Sequence, residues 1–267
     1  MSALVWLNGA LTAQPSIDLT DRNYIWGDGI FETIRAEDGY PLHLRRHWRR
    51  LRMGAAVLEI PMLFSDGALS AAVRALLEEE SGGGWDAVHV TVTRGPTPRG
   101  LLPAREGMPT VMITTSPLAG PPGPAALIVA SVTRRNEYSP LARIKVLSTL
   151  DGRLARQEAA RNGADDALML NSRGRLAGAS AANAFFLFGD LVVTPPVDEG
   201  ALPGVRRQLA LDLIPGIAAR PLMVEEALAA DDILLTSSLA LRSVSSLAGR
   251  PPPRAGALFE RFSQAGL

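Results

Sequence analysis

The sequence predicts an α+β protein in two parts, a smaller N-terminal domain and a larger, strand-rich C-terminal domain. Segments in which apolar and polar residues alternate, typical of half-buried strands, occur on both sides of the chain's middle. Two amphipathic helical segments stand between strands of the first part. A stretch rich in Pro, Gly and Ala, SPLAGPPGPAA at 116–126, predicts an extended linker. We therefore expect an N-terminal domain over residues 1–115, a linker over 116–125 and a C-terminal domain over 126–267.

The N-terminal part is predicted to begin with a strand, ALVWLNG, which ends in an Asn-Gly turn. The segment GIFETIRA alternates, and the Asp-Gly dipeptide after it predicts a hairpin. LRRHWRRLRMGAAVLEI is predicted as an amphipathic helix because Leu44, Trp48, Leu51 and Ala55 share one face. SDGALSAAVRALLEEE is a second predicted helix with Ser65 as its N-cap. Two alternating strands, WDAVHVTVTRG and PTVMITTSPL, complete the part.

The C-terminal part is predicted to start with the strand LIVASVT, followed by a helix, LDGRLARQEAARNGA, that Gly163 closes. DALMLNSRGRLAGAS indicates strand, turn and strand, and AFFLFGDLVVTPP a hairpin that turns at Gly189-Asp190. GVRRQLALDLI is a predicted helix. The last predicted strand lies in DDILLTSSLALRSVSSLAG, with a loop rich in Ser and Thr after it.

The composition is that of an ordinary globular protein, with 267 residues, 47% hydrophobic and 20% charged residues, and a formal net charge of zero. This balance argues against nucleic-acid and membrane partners. The absence of Cys excludes disulfides and thiolate chemistry, and the three His show no metal-ligand spacing, so we expect no metal. We find no signal-peptide pattern and no apolar run of the roughly 18 to 20 residues that span a bilayer. The expected location is cytoplasmic.

The chain contains a single Lys, Lys145, among 27 basic residues. A chain that uses Arg for every other cation would be expected to use it for a surface charge here too, so this Lys points to amine chemistry. A buried amine can form a Schiff base with an aldehyde, whereas a guanidinium cannot. The other reading is that the Lys stem packs on apolar surface while its ammonium reaches water. A Schiff-base Lys in a cofactor enzyme indicates pyridoxal phosphate, which also needs a phosphate site and a partner for its ring nitrogen.

Separate segments offer parts of a phosphate site. Pro203-Gly204 precedes a predicted helix whose first residues, Val205 and Arg206, would present free backbone amides to an anion. Arg50 is the candidate for an Arg of the HWRRL helix that turns inward. Hydroxyl groups lie together at a predicted strand end, at Thr236, Ser237 and Ser238. Alone, the Pro203-Gly204 segment fits a simple loop-to-helix junction equally well, and the hydroxyl group cluster is a weak signal. The five Arg of the HWRRL helix are otherwise expected to form a solvated face.

Seven segments, taken in order, resemble the class IV pyridoxal-phosphate enzymes of fold type IV, which include branched-chain aminotransferases, D-amino-acid transaminases and aminodeoxychorismate lyases. The segments are DRNYIWGDGIFETIR, HWRRL, TRGPTPRG, IKVLSTLDGRLARQEA, GADDALMLNSRGRLAGASAANAFF, TPPVDEGALPGVRR and DDILLTSSLALRSV. The resemblance runs nearly end to end. It implies the fold type IV architecture, with a small N-terminal α/β domain and a larger C-terminal domain that binds pyridoxal 5'-phosphate. It also implies a small-molecule substrate and a homodimer.

The resemblance implies a role for each matching residue. Lys145 corresponds to the catalytic Lys that forms the Schiff base and moves the α-proton. Arg206 stands where many relatives have Thr, and Arg94 and Arg99 look like a carboxylate clamp. The implied cofactor-binding residues are Arg50, Lys145, Gly178, Ser180, Asn183, Val205, Arg206 and Ser237. The implied substrate-side residues are Trp26, Phe31, Thr33, Arg35, Arg94, Arg99 and Ser238.

Gly178 is the main departure from the family pattern G-x-V-x-E-G-S-x-x-N. Relatives place at this position a Glu whose carboxylate pairs with the pyridine nitrogen and keeps it protonated. Without it, the ring is expected to accept electrons less well. The glycine leaves room for a water, for substrate bulk or for a carboxylate from elsewhere, or else it marks a protein that binds the cofactor and catalyses poorly.

Three segments favour the lyase, which converts 4-amino-4-deoxychorismate to p-aminobenzoate and pyruvate on the folate pathway. They are SAAN, TRGPTPRG and LARIKVLSTL, and the chain is also short for a branched-chain aminotransferase. Against the lyase stand Gly178, Ser148-Thr149 and the RGL at 99–101. The alternatives are a branched-chain or D-amino-acid aminotransferase and a cofactor-binding protein with altered or lost activity.

Overall fold

The computed structural model describes residues 4–103 and 107–267, and the chain divides into two compact units. The N-terminal unit runs to Gly120 and also takes in Ile144–Ser148. The C-terminal unit holds Pro121–Arg143 and Thr149–Leu267. A linear boundary with a linker at 116–125 therefore does not describe the segment around Lys145, which belongs to the N-terminal unit.

The N-terminal unit is a six-stranded antiparallel sheet, in the order β2-β1-β6-β5-β3-β4, with helices packed on it. Its elements are β1 (Val5–Leu7), β2 (Ala10–Thr12), α1 (Arg22–Trp26), β3 (Gly29–Glu37), β4 (Tyr40–Pro41), α2 (Leu44–Leu58), α3 (Asp66–Glu80), β5 (Trp85–Thr93) and β6 (Thr110–Pro117). Both predicted hairpin turns form, since Asn8-Gly9 and Asp38-Gly39 have positive φ at both residues, as tight hairpins require. The predicted N-cap is also present, because the Ser65 hydroxyl accepts from the Ala68 amide at 3.1 Å.

The two faces of β3 have different surroundings. Ile30 and Ile34 are buried in one core with Trp48 and Leu51 of α2. Because side chains alternate along a strand, the residues between them lie on the opposite face. The strand thus separates a helix-covered face from a second face that carries Phe31 and its alternate neighbours.

The C-terminal unit contains an eight-stranded mixed sheet in the order β12-β11-β10-β13-β14-β7-β8-β9. Its strands are β7 (Ala125–Val129), β8 (Asp166–Leu170), β9 (Leu176–Ala179), β10 (Asn183–Phe188), β11 (Leu191–Thr194), β12 (Ile217–Ala219), β13 (Asp232–Thr236) and β14 (Leu241–Leu247). Its helices are α4 (Leu150–Arg161), α5 (Val205–Leu213), α6 (Val224–Leu228) and α7 (Ala257–Gln264), with 3₁₀ turns at Pro140–Arg143 and Val197–Glu199. β7 pairs in parallel with both β8 and β14.

The segment predicted as a loop rich in Ser and Thr is largely a strand. β14 lies between β13 and β7, inside the sheet. Its buried residues are Leu241, Val244 and Leu247, and its pairing register with β7 shifts between Val244 and Ser246. This irregularity hides the two-residue period by which a strand is recognised in a sequence.

Among the helices that the described residues form, none is long and apolar enough to cross a membrane.

Candidate active site

Lys145 is held against β3 by backbone hydrogen bonds. The Phe31 amide donates to the Lys145 carbonyl at 2.9 Å, and the Leu147 amide donates to the Gly29 carbonyl at 3.0 Å. Ile144 is buried in the core of the N-terminal unit, and Val146 forms a single β-bridge rather than part of a longer strand. The Lys145 ammonium lies 3.9 Å from the centroid of the Phe31 ring, in cation–π range. Lys145 is half-buried, and its ammonium lies beside an aromatic face.

The face of the sheet that carries Phe31 also carries Thr33 and His89. Thr33 pairs in register with His89 of β5, and the His89 ring centroid lies 5.1 Å from that of Phe31. Burial, together with the nearby Lys145 charge, lowers the pKa of His89, so its imidazole is neutral at neutral pH. His89 was not among the site residues predicted from the sequence. The alternation of WDAVHVTVT makes it a strand residue, but only the pairing register brings it to Phe31 and Lys145.

Arg35 lies further along the same face and is already engaged. Its guanidinium is 3.5 Å from the Trp85 ring centroid and 2.6 Å from a Glu37 carboxylate oxygen. The predicted role of Arg35 on the substrate side stays a prediction.

A buried charge cluster lies on the helix-covered side of β3. Glu32 is fully buried and accepts from Arg50 Nε at 2.7 Å, from Arg50 Nη2 at 2.6 Å and from His47 Nδ1 at 2.7 Å. Burial raises the pKa of Glu32, but the hydrogen bonds from Arg50 and His47 outweigh it and hold this pKa below its usual value. Burial also lowers the pKa of His47, so the ion pair is formed by Glu32 and Arg50. Arg50 is the buried Arg of α2, as the sequence predicted, and its role as phosphate ligand stays a prediction.

Arg94 belongs to a second ion-pair cluster. Asp28 accepts from Arg94 Nε and Arg22 Nε, both at 2.8 Å, and these bonds outweigh burial and lower the pKa of Asp28. Arg94 also donates to the carbonyls of Leu58 and Glu59, which tie it to the end of α2.

The two remaining residues of this unit that are predicted to lie on the substrate side are exposed. Arg99 is exposed, and Trp26, the last residue of α1, is 44% exposed. The proposed carboxylate clamp of Arg94 and Arg99 stays a prediction, with Arg94 already bound to Asp28.

In the C-terminal unit, the N-cap of α5 is Gly204, so no side chain caps the N-terminus of this helix, where the positive end of the helix dipole lies. A Cβ at Gly204 would lie 1.9 Å from Asn183 Oδ1, so only glycine fits. Asn183 itself is fixed by donation to the Leu202 carbonyl at 2.8 Å. Thr236, directly opposite Asn183 in the sheet, has a buried hydroxyl with no partner in residues 4–103 and 107–267. The N-terminus of α5, the close approach to the backbone that Gly204 allows, and the Thr236 hydroxyl together fit a phosphate group.

Ser237 and Ser238 lie in the turn between β13 and β14. The Ser237 hydroxyl accepts from the amides of Leu239 and Ala240, both at 3.2 Å, so it closes its own turn. Ser238 is half-buried in the same turn, and Arg206 is buried in the first turn of α5. The implied roles of these three residues stay predictions.

Gly178 lies in β9 with φ +110°, and a Cβ there would be 3.0 Å from the Ala182 carbonyl oxygen. Close by in the chain, the Ser180 hydroxyl is hydrogen-bonded to Asp166 and accepts from Arg156 Nε at 3.0 Å. Arg156 Nη2 pairs with Asp166 at 2.6 Å. This network was not predicted from the sequence, although an Asp at the start of the apolar run DALML was a signal for it.

We expect Gly178→Glu to destabilise the protein by about 1–3 kcal/mol, because a side chain at this φ strains the backbone, and not to raise the activity. Urea unfolding and steady-state kinetics measure the two effects. Gly216→Glu is the matched control, since Gly216 also has positive φ, at +81°, but no atom lies within 4 Å of its added Cβ. A Gly178→Glu enzyme that is faster than the wild type, or as stable as it, would contradict this expectation.

Comparison with known proteins identifies the class of enzyme. The sequence model of the Amino-transferase class IV family matches residues 29–247, so the chain belongs to that family of pyridoxal-phosphate enzymes. The expected cofactor, pyridoxal 5'-phosphate, and the expected α+β fold of type IV are thereby confirmed. The cofactor supplies an aldehyde for an amine and a ring that takes up electrons from the substrate.

The relatives carry three different activities in their names. A Methanocaldococcus jannaschii protein provisionally named a branched-chain-amino-acid aminotransferase is 29% identical over 248 residues, which are 88% of this chain and 84% of that protein. The aminodeoxychorismate lyase of Vibrio harveyi is 26% identical over 246 residues, 88% of each chain. Other relatives are D-alanine aminotransferases. The branched-chain aminotransferase structure of Thermoproteus uzoniensis, determined with norvaline, superimposes with a TM-score of 0.90 at 24% identity, covering 98% of this chain and 92% of that one.

Proposed function

We propose that the protein is an aminodeoxychorismate lyase that cleaves 4-amino-4-deoxychorismate to p-aminobenzoate and pyruvate. Gly178 departs from the pattern of lyases and aminotransferases alike, but the observation that carries the proposal is its geometry: its φ of +110° strains any side chain, and an added Cβ would lie only 3.0 Å from the Ala182 carbonyl oxygen. The loss of the carboxylate that relatives have at this position counts less against a lyase than against an aminotransferase.

The reason lies in where the electrons go. In 4-amino-4-deoxychorismate the proton leaves the amino-bearing carbon, and the electron pair of that C–H bond forms the third double bond of the aromatic ring. The neighbouring C–O bond breaks, and its electron pair leaves with enolpyruvate, which takes up a proton and becomes pyruvate. An aminotransferase substrate has no leaving group, so the electron pair must rest on the cofactor ring, where a charged ring nitrogen stabilises it.

Lys145 is the proposed base and acid. Its amine lies beside Phe31, and the neutral His89 adds no second positive charge that would repel a cationic form of the amine. We propose that Arg50 and the amides of Val205 and Arg206 bind the phosphate. The other proposed cofactor contacts are Gly178, Ser180, Asn183 and Ser237, and the proposed substrate contacts are Trp26, Phe31, Thr33, Arg35, Arg94, Arg99 and Ser238.

An aminotransferase is the second candidate, favoured by the relative of 29% identity and by the D-alanine aminotransferases. The holoenzyme is incubated separately with 4-amino-4-deoxychorismate and with branched-chain L-amino acids and D-alanine, without a keto acid. We expect p-aminobenzoate fluorescence and pyruvate in equal amounts, with the cofactor spectrum unchanged. Conversion of the cofactor to its pyridoxamine form by an amino acid, without p-aminobenzoate, would establish the aminotransferase instead. No reaction with either would leave a protein that only binds the cofactor.

We also propose a homodimer, on family resemblance. Light scattering should give a mass near twice the 28.4 kDa of one chain, and a mass of one chain would refute it. The cytoplasmic location stays a prediction.

A further inference from the structure

The hydroxyl of Thr236 is a buried polar group to which the proposed function assigns no role. Thr236 is 1% exposed, and its Oγ1 has no hydrogen-bond partner among residues 4–103 and 107–267. A buried hydroxyl without a partner is unfavourable, so native proteins rarely keep one without a purpose. We therefore expect the Thr236 hydroxyl to bind a partner from outside the chain.

The position of Thr236 shows where that partner would sit. Thr236 is the Cα partner of Asn183, and directly paired residues project to the same face of a sheet. This face is the one under α5, because Phe185 and Leu234, two residues along each strand, pack in one cluster with Ala210 of that helix. The Asn183 side chain reaches Gly204, the N-cap of α5. Thr236 thus lies at the end of the face that meets the N-terminus of α5, where no side chain caps the helix.

The charge at this end of α5 is also positive. Arg207, in the first turn, is 4% exposed and donates to the Pro195 carbonyl at 3.0 Å, while its Nε is buried without a partner. Within the described part of the chain, Arg207 forms no ion pair with a carboxylate. Its charge adds to the positive end of the helix dipole, so the site favours an anion.

We propose that Thr236, rather than Ser237, supplies the hydroxyl that binds the phosphate of pyridoxal phosphate. The inference rests on the proposed phosphate position at α5. The Ser237 hydroxyl donates to the Ala240 carbonyl at 3.4 Å and accepts from the amides of Leu239 and Ala240, all within its own turn, whereas the Thr236 hydroxyl has no partner in the described chain. A hydroxyl donating to a charged phosphate oxygen gives one of the stronger hydrogen bonds in proteins.

The test compares Thr236→Val, which removes the hydroxyl at nearly constant shape, with Thr236→Ser, which keeps it. Apoproteins are titrated with pyridoxal phosphate and with pyridoxal, and binding is read from the visible absorbance. We expect Thr236→Val to weaken pyridoxal phosphate binding about tenfold or more and to leave pyridoxal binding unchanged, with Thr236→Ser close to wild type. The melting temperature of the Thr236→Val apoprotein should not fall, because the substitution removes no hydrogen bond that the described chain makes.

Three outcomes would overturn the proposal. Unchanged pyridoxal phosphate binding in Thr236→Val would mean that the hydroxyl is satisfied by water. If the Thr236→Val apoprotein melts at a lower temperature and loses affinity equally for both ligands, the role of Thr236 is purely structural. If Ser237→Ala loses affinity for pyridoxal phosphate but not for pyridoxal, Ser237 supplies the hydroxyl instead. The two proposals fail separately. If the protein does not cleave 4-amino-4-deoxychorismate, the proposed function is refuted, but the binding measurements still test the role of Thr236.

Discussion

Lys145→Ala is expected to lose the visible absorbance band of the bound cofactor and to lower the turnover rate by at least about 10⁴-fold. The substitution removes the only amine of a Lys side chain in the sequence, and with it both the Schiff base and the proposed proton carrier beside Phe31. Absorbance spectra and steady-state rates of the reconstituted variant measure both effects.

Lys145→Arg is the matched control, because it keeps a positive charge next to Phe31 but cannot form a Schiff base. It should behave like Lys145→Ala. Borohydride reduction of the wild-type holoenzyme should also add the mass of the reduced cofactor to the single tryptic peptide that contains Lys145. A visible band that survives in either variant, or a label on another peptide, would contradict the assignment.

Glu32→Gln is expected to lower the free energy of unfolding by about 3–5 kcal/mol, because it leaves the buried Arg50 guanidinium without its countercharge. Glu32 is fully buried, and three hydrogen bonds from Arg50 and His47 reach its carboxylate at 2.6–2.7 Å. Urea unfolding of the apoprotein measures the loss without contributions from cofactor binding. Glu37→Gln is the control, since the Glu37 carboxylate on the same strand is 42% exposed and should change stability by less than about 1 kcal/mol.

The same carboxylate predicts a pH dependence. The pKa of Glu32 in the folded protein lies below its ordinary value of 4.5, so its contribution to stability is complete above about pH 4.5. That contribution is lost as the pH falls through the lower, folded-state pKa. Wild-type unfolding free energy should therefore drop in this acid range, and Glu32→Gln should lack this part of the drop. Parallel pH profiles for the two proteins would show that Glu32 does not stabilise Arg50 as a charged pair.

Local patterns in the sequence predicted much of the fold. Asn8-Gly9, Asp38-Gly39 and Ser65 each act through their nearest neighbours in the chain, so their hairpins and cap were predictable. β14 was not, because the register shift between Val244 and Ser246 breaks its local period. The short helix α7 was not predicted from the sequence either, because it is stabilised by packing against the sheet.

The sequence by itself determined the family, through seven ordered segments, and pointed to Lys145 through its isolation among 26 Arg. Only the tertiary structure decided what surrounds that residue. It joined Ile144–Ser148 to β3, set His89 beside Phe31, buried Glu32 against Arg50, and left the Thr236 hydroxyl without a partner in the described chain. These are contacts between residues far apart in the chain, and they follow from strand register and burial, which local periodicity does not specify.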